Sequence, residues 1–439
     1  MIAHPGSSQV KLVRAIGRWS LVALTVNSIL GSGIFGLPAV IAAVLGDLSP
    51  WAVLLAGAAM AVIVSCYGEV ASQFAETGGT YLYVRHAFGR FAGLQVGWMS
   101  LLSRFTACAA AINLLVLYLG EFWPQATQAV ARFMIITLFL GTLGVVNYRG
   151  VGAGAWVSNV SVVAKLLALG LVCVVGAGYL IAHPAMHAAT LSADRDGWLK
   201  AILLLFFAYG GYEAALNPMG EAKNPRRDAP FALFMGLIIV TLLYTVLQFV
   251  VVGVLPDPAH SDRPLADAAR VFMGSRGAAL ISVGALISVY GYLSANLLTG
   301  PRGMFALAEL GDFPARFAAV HPRMRTPHVA IVVFAVLIWL FALFGSFSWN
   351  VTLSAVARLA YYGAVCAAVP VLRKRQPGAA TFRVPGGPTL PILGVAICAL
   401  LLTRVDFTKS VILVATIVIA SVNWYGVRNR SAVRAEVAP

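Results

Sequence analysis

The chain is a succession of apolar runs, each about long enough to cross a bilayer, with short polar intervals between them. Runs near the ~20-residue spanning length fall at approximately 19–45, 49–74, 91–119, 127–147, 153–182, 199–219, 229–255, 277–308, 327–344, 350–371, 388–404 and 409–427. They predict twelve transmembrane helices and an all-α polytopic membrane protein. Hydrophobic residues make up 60% of the sequence and charged residues 11%, against about 25% charged in a soluble domain. No soluble domain of useful size fits between the runs, and no barrel-type alternation is present. The first run is too long for a signal h-region and no small-residue cleavage site follows it, so residues 1–18 read as a cytosolic tail.

Charge sets the expected orientation. With both termini in the cytosol, the two tails and the loops 75–90, 148–152, 220–228, 302–326 and 373–387 hold 20 of the 31 Lys and Arg residues, and the opposite loops hold seven. The net charge of +15 is then mainly a topology signal. The basic residues are dispersed over short loops, which disfavours nucleic acid as a partner. Cys66, Cys108, Cys173, Cys366 and Cys398 lie within apolar segments without C-x-x-C spacing and read as small buried hydrophobes. No cofactor is implied.

Two of the runs are interrupted. The first contains "ILGSGIFGLP" (Ile29–Pro38) and the sixth "FFAYGGYEAALNP" (Phe206–Pro218). An unpaired N–H or C=O costs several kcal/mol in hydrocarbon, so a broken helix survives only where protein buries it or a cavity adjoins it. One glycine-rich run would read as close helix packing. Here Gly31 precedes Pro38 by seven positions and Gly211 precedes Pro218 by seven, both about twelve residues into their runs. The two helices stand five apart, the offset of a five-plus-five repeat. An odd number of helices per repeat inverts the second copy. Paired interrupted helices in matching positions point to the binding site of a secondary transporter.

The residues also carry a family resemblance. "GSGIFGLP", "CYGEVASQFAETGGTYLYVRHAFG" (Cys66–Gly89), "FFAYGGYEAALNPMGEAKNPRRDAP" (Phe206–Pro230) and "PRGMFALAELGDFP" (Pro301–Pro314) resemble signatures of the amino acid/polyamine/organocation (APC) transporters. The resemblance implies a five-plus-five inverted-repeat (LeuT-like) core with helices one and six broken: residues 19–182 as the first repeat, 199–371 as the second, 388–427 as peripheral helices eleven and twelve, and 428–439 as a cytosolic tail. It also implies rigid-body rocking of helices one, two, six and seven against a scaffold, in the inner (cytoplasmic) membrane of the cell.

The interrupted helices suit an α-amino acid zwitterion. The restart at Ser32, Gly33 and Ile34 offers free N–H groups and a positive dipole end to a carboxylate. The first halves end at Asn27, Ser28 and Ile29 and at Phe206, Phe207 and Ala208, where free C=O groups suit an ammonium. Gly31 and Gly33 permit close approach. The Ser32 hydroxyl either meets substrate or bonds back within its own helix. Phe207, Tyr209 and Tyr212 lie at the second break. Family alignment suggests Phe207 as an aromatic lid; plain packing is the alternative. Asn296 falls where relatives line the pocket, or it bonds a neighbouring helix.

Lys165 sits about twelve residues into helix five, roughly 18 Å deep at 1.5 Å per residue. That is too deep for easy snorkelling, and a charge there is a functional candidate. A lysine out of water can cycle its proton. Proton-driven relatives carry a lysine in this helix beside the place where sodium-coupled relatives hold an ion. The resemblance therefore implies that Lys165 bonds carbonyls of the first break and replaces Na⁺. A purely structural lysine is the alternative. Glu213 could pair with Arg104 or Arg358, or carry a proton. Glu69 reads as structural, Arg302, Glu309 and Asp312 as gate or packing residues, and Glu221–Asp228 as a solvated loop.

The expectation is a Na⁺-independent, proton-coupled carrier of neutral L-amino acids. Four basic intramembrane residues (Arg104, Arg132, Lys165, Arg358) against Glu69 and Glu213 disfavour a cationic substrate. An exchanger and a cationic amino acid or polyamine carrier are the alternatives. An enzyme is disfavoured: the histidines lie in tails, loops or helix ends, and no H-E-x-x-H or G-x-S-x-G occurs. A channel lacks a repeated filter motif. "GEFWPQATQ" (Gly120–Gln128) has no cysteine with which a heavy-chain partner could link.

Overall fold

The computed structural model describes residues 14–74, 78–150, 154–183 and 195–428. Most of the two expected tails, 1–18 and 428–439, lies outside the described residues. The elements are helices: α1 (Arg18–Ile29), α2 (Gly33–Leu45), α3 (Ser49–Ala71), α4 (Gly79–Phe88), α5 (Arg90–Leu119), α6 (Ala129–Tyr148), α7 (Gly154–Ala182), α8 (Arg195–Tyr209), α9 (Pro225–Val254), α10 (Pro264–Glu309), α11 (His328–Phe344), α12 (Phe347–Arg375), α13 (Thr389–Leu402) and α14 (Phe407–Val427), with a 3₁₀ segment at Tyr212–Glu221 between α8 and α9. Among the described residues, nine stretches are long and apolar enough to cross a membrane, and α11 and α13 are shorter apolar helices.

Several boundaries differ from the sequence reading. The expected first span is two helices, because Leu30 leaves helical geometry (φ −69°, ψ 74°) and α2 begins only at Gly33. The sixth starts at Arg195 rather than 199, so its first half has 15 residues against 12 in α1. Its continuation past the break is 3₁₀. The interval before the eighth span, read as loop, is largely helical: α10 runs 46 residues, with a kink at Gly274 (φ 68°). Apolar periodicity alone hides such an extension, since a helix outside hydrocarbon needs no apolar run. The 75–90 loop holds α4, whose ends are set by Gly78 and Gly89.

Helices α1, α3 and α9 pack together, and α8 packs on α2 and α3. A second group comprises α5, α6, α10 and α11, with α7 lying between α10 and α9 and α12 packing on α5, α3 and α8. The two interrupted helices cross-pack: α2 lies against α8, and α1 against the 3₁₀ segment. Each first half thus meets the other's second half, as two antiparallel segments must. At the end where α1 begins, Ile16 N–H donates to Glu221 O at 3.0 Å and Lys223 N–H donates to Ile16 O at 2.9 Å.

Three buried carboxylates are paired at that same end. Arg373 grips Glu69 through two bonds of 2.6 Å, and Val384 N–H adds a third at 2.8 Å. Asp312, fully buried, accepts from Arg85 at 3.0 Å, from Arg90 at 2.5 Å and from the Tyr81 hydroxyl. Asp228, only 3% exposed, pairs with Arg18 at 3.1 Å. The 221–228 stretch is therefore not simply a solvated loop, because Pro225 already opens α9 and turns Asp228 inward.

Candidate functional site between two interrupted helices

The last carbonyls of α1 have no partner inside the helix and find partners in the two residues just past its end and in α7. Val26 O accepts from Leu30 N–H at 2.9 Å, and Ile29 O accepts from Gly31 N–H at 2.7 Å. Lys165 on α7 donates to Asn27 O at 3.0 Å and to Leu30 O at 2.8 Å. A cation placed at the C-terminal dipole of a half-helix is favourable. Here it is 7% exposed, forms no ion pair among the described residues, and is held by two peptide oxygens.

The second break is built in parallel. Gly211 takes a left-handed conformation (φ 110°). A Cβ there would stand 2.4 Å from Ser28 O, so only glycine lets the two breaks touch. Arg358 on α12 donates from Nη1 to Phe207 O at 3.3 Å and from Nε to Ser103 Oγ at 3.1 Å. Its guanidinium lies 5.6 Å above the Phe207 ring and fills the space where a Gly210 Cβ would sit. Arg358 thus caps the end of α8 as Lys165 caps the end of α1. Between them the Tyr244 hydroxyl of α9 lies 3.2 Å from both Ile29 O and Ala208 O, so one proton serves the two breaks in turn.

The N–H groups of Gly33 and Ile34 open α2 and have no partner earlier in their own helix. Ser32 is 3% exposed and its side chain makes no capping bond to the start of α2. Gly33 faces Ala208 and the Phe207 ring, where an added Cβ would come within 3.2 and 3.3 Å. Gly33, Ile34, Ala208, Tyr244 and Gln248 border a small cavity between the breaks. Gly31 faces the Tyr292 ring of α10.

Other expected site residues are placed differently. The Tyr209 hydroxyl turns to α3 and donates to Val53 O at 2.9 Å. Tyr212 is buried among Tyr67 and Tyr362, and its hydroxyl has no hydrogen-bond partner among the described residues. Phe206 is fully buried. Asn296 donates to Tyr292 O of its own helix at 2.9 Å. Asn27 is half-buried with its Oδ1 unpartnered. Glu213 forms no ion pair with Arg104 or Arg358. Its carboxylate accepts instead from Tyr361 at 2.7 Å, Tyr362 at 3.1 Å and Gly211 N–H at 2.9 Å. The local turn places Glu213 two residues past the break, within reach of its own backbone rather than across the bundle.

Sequence reasoning missed Tyr244 and the Tyr361–Tyr362 pair, and for Arg358 it offered Glu213 rather than the Phe207 carbonyl and Ser103. A signal for Tyr244 was present: with Gln248 it makes an i, i+4 polar pair on a largely apolar helix.

An apolar helical bundle whose two interrupted helices meet back to back, with cations on their exposed carbonyls, defines a multi-pass membrane transport protein. The chain belongs to the amino acid permease family, which matches residues 16–425, within the APC transporters. The serine/threonine exchanger SteT of Bacillus subtilis is 30% identical over 399 residues, covering 88% of this chain and 89% of its own length. The methylthioribose transporter of the same organism is 28% identical over 409 residues (89% and 88%). Its branched-chain amino acid permease BcaP is 27% identical over 430 residues (92% and 91%). These relatives are transporters and permeases, not enzymes, and the chain is of their kind.

Proposed function

We infer that this protein is a secondary active carrier moving α-amino acids by alternating access, Na⁺-independent and coupled to protons. The observation that carries the reading is Lys165 holding Asn27 O and Leu30 O. A cation of the protein itself occupies the carbonyls of the first break, so no metal ion is needed there. Unlike an arginine, a lysine can release its proton and let the break rearrange.

On this reading the substrate carboxylate docks on the N–H groups of Ser32, Gly33 and Ile34, with Gly31 giving clearance. The ammonium uses second lone pairs on the carbonyls of Asn27, Ser28 and Ile29 and of Phe206, Phe207 and Ala208. Phe207 closes over it, Tyr212 and Asn296 border the side chain, and Tyr209 positions α3. Glu213, tied to the Gly211 turn, keeps the second break open. Serine, threonine and branched-chain residues in the names of two relatives support neutral L-amino acids as the class. Exchange, as in the serine/threonine exchanger, is the alternative mode, and similarity to a cationic amino acid transporter of mouse at 26% identity keeps that substrate class in the test.

The finer architecture belongs to the same proposal: twelve spans, an inverted five-plus-five core over 19–182 and 199–371, peripheral helices in 388–427, and both termini cytosolic in the cytoplasmic membrane. Its support is that Lys165 of the fifth span and Arg358 of the tenth cap the breaks of the first and sixth, the pairing that a five-helix repeat requires. Uptake into proteoliposomes tests the function. Tritiated serine and leucine should accumulate with Na⁺ replaced by choline, driven by an inward proton gradient. Collapse in choline would overturn the reading. A strict need for preloaded internal amino acid would replace symport by exchange.

A further inference from the structure

The intramembrane charges are unequally served. Lys165 has two carbonyls. Arg132 has Asn113 Oδ1 at 3.1 Å, Ala342 O at 2.6 Å and Gly345 O at 3.2 Å. Arg358 has Ser103 and Phe207 O. Glu69 and Glu213 each accept three or more bonds. Arg104 differs from them all. Its guanidinium has one hydrogen bond, to Thr299 Oγ1, at a long 3.4 Å, and it forms no ion pair among the described residues. Four of its five N–H donors are left to solvent or to a ligand.

Arg104 lies near the middle of α5, next in sequence to Ser103, which faces Arg358 and Ser354. Arg104 itself looks the other way, toward α10. There Thr299 and Ala295 are exposed, Asn296 is half-buried, and Tyr292, one turn further along, packs on Gly31 of the first break. Arg104 and the Tyr292 hydroxyl are within electrostatic reach of each other. A charged group at this depth faces a bundle interior or a water-filled cavity rather than lipid. The guanidinium therefore faces the side of α10 that carries Thr299 and, toward the first break, Asn296 and Tyr292.

We propose that Arg104 is a specificity-determining residue that binds a side-chain carboxylate, extending the substrate class from neutral to acidic α-amino acids and rejecting cationic ones. The proposal rests on the zwitterion site above. The acidic groups that could have welcomed a cation, Glu69 and Glu213, are already engaged. A planar guanidinium with an unoccupied donor edge matches a carboxylate in bidentate fashion. Its bond to Thr299, three residues from Asn296 on α10, puts it on the flank of the proposed site and leaves the first break to the backbone of the substrate.

The test is competition against tritiated L-serine uptake in proteoliposomes, using L-glutamate, its neutral isostere L-glutamine, and L-lysine. In the wild-type protein glutamate should compete about tenfold more strongly than glutamine, the worth of one charge-assisted pair, with lysine weakest. In Arg104→Gln that preference should fall about tenfold, and Arg104→Lys should keep part of it. Should Arg104→Gln fail to fold, thermal protection of the detergent-solubilised wild-type protein decides: glutamate must protect better than glutamine. Equal competition by glutamate and glutamine, an unchanged preference in Arg104→Gln, or a preference erased by chloride but not by gluconate would each overturn the assignment. The last of these would mark Arg104 as an inorganic-anion site. If no amino acid is taken up or protects at all, the carrier reading itself fails.

Discussion

The two breaks are near counterparts that differ in how they are held. At the first, α1 yields to an α-helical restart, and the exposed carbonyls rest on Lys165, a flexible ammonium without a carboxylate partner. At the second, α8 gives way to a 3₁₀ segment, and the carbonyl of Phe207 rests on Arg358, with three donors from Gly211, Tyr361 and Tyr362 fixing Glu213 close by. An arginine stays charged and its fork is rigid, whereas a lysine swings and can shed its proton. On the proposed mechanism, only one of the two helices is fastened by a latch that loss of a proton can open. The first break then switches and the second stays as a fixed reference.

Substitutions at the two breaks should separate them. The largest effect is expected at Gly211→Ala: a Cβ 2.4 Å from Ser28 O at positive φ adds backbone strain of about 1–3 kcal/mol to a steric clash. Uptake should fall about 100-fold, and thermal unfolding of the detergent-solubilised protein should come earlier. Survival of full transport would mean that the breaks need not touch.

Next comes Lys165→Ala, which strips two buried carbonyls of their donor at about 1–3 kcal/mol each. Uptake should drop by about 30-fold or more, and no Na⁺ concentration should restore it in full. Lys165→Arg sharpens the comparison, because it makes the first break resemble the second. Measured with internal pH dyes, it should abolish proton movement, while counterflow of preloaded substrate should be the activity best preserved.

A smaller effect is expected at Glu213→Gln. The amide oxygen can still accept from Tyr361 or Tyr362, so loss of one charge-assisted bond, about 1.5–3 kcal/mol, should lower uptake by about tenfold while leaving proton coupling per substrate unchanged. Loss of coupling in this variant would move the proton role from the first break to the second. The smallest is Tyr244→Phe, which removes the hydroxyl shared by Ile29 O and Ala208 O. With about 1 kcal/mol at stake, apparent affinity should weaken about fivefold. An equal loss with Tyr209→Phe, whose hydroxyl serves Val53 instead, would show that the bridge has no special part.

Much of this arrangement can be read in the sequence, for local reasons. Apolar run length marks the helices, and the equal spacing of Gly31 from Pro38 and Gly211 from Pro218 marks the two interruptions, because backbone freedom is a property of the residue itself. Lys165 was legible as a charge too deep to snorkel. What escaped depends on partners distant in the chain. Nothing near Arg358 in sequence names Phe207, 151 positions away, and a tyrosine such as Tyr244 in an apolar helix reads as packing until its hydroxyl finds two carbonyls. The helical stretch before Gly274 and the short helix α4 escaped for another reason: both lie outside the apolar runs, so nothing in hydropathy announces them.

The backbone tie of Ile16 to Glu221 and Lys223 has a mechanical corollary. It fastens the outset of one interrupted segment to the finish of the other, like two oars shipped in a single rowlock. On the proposed mechanism, neither tilts at that end without towing its fellow, so a mouth opening there widens by pivoting a joined pair, and the stroke is limited by how far that shared joint lets go.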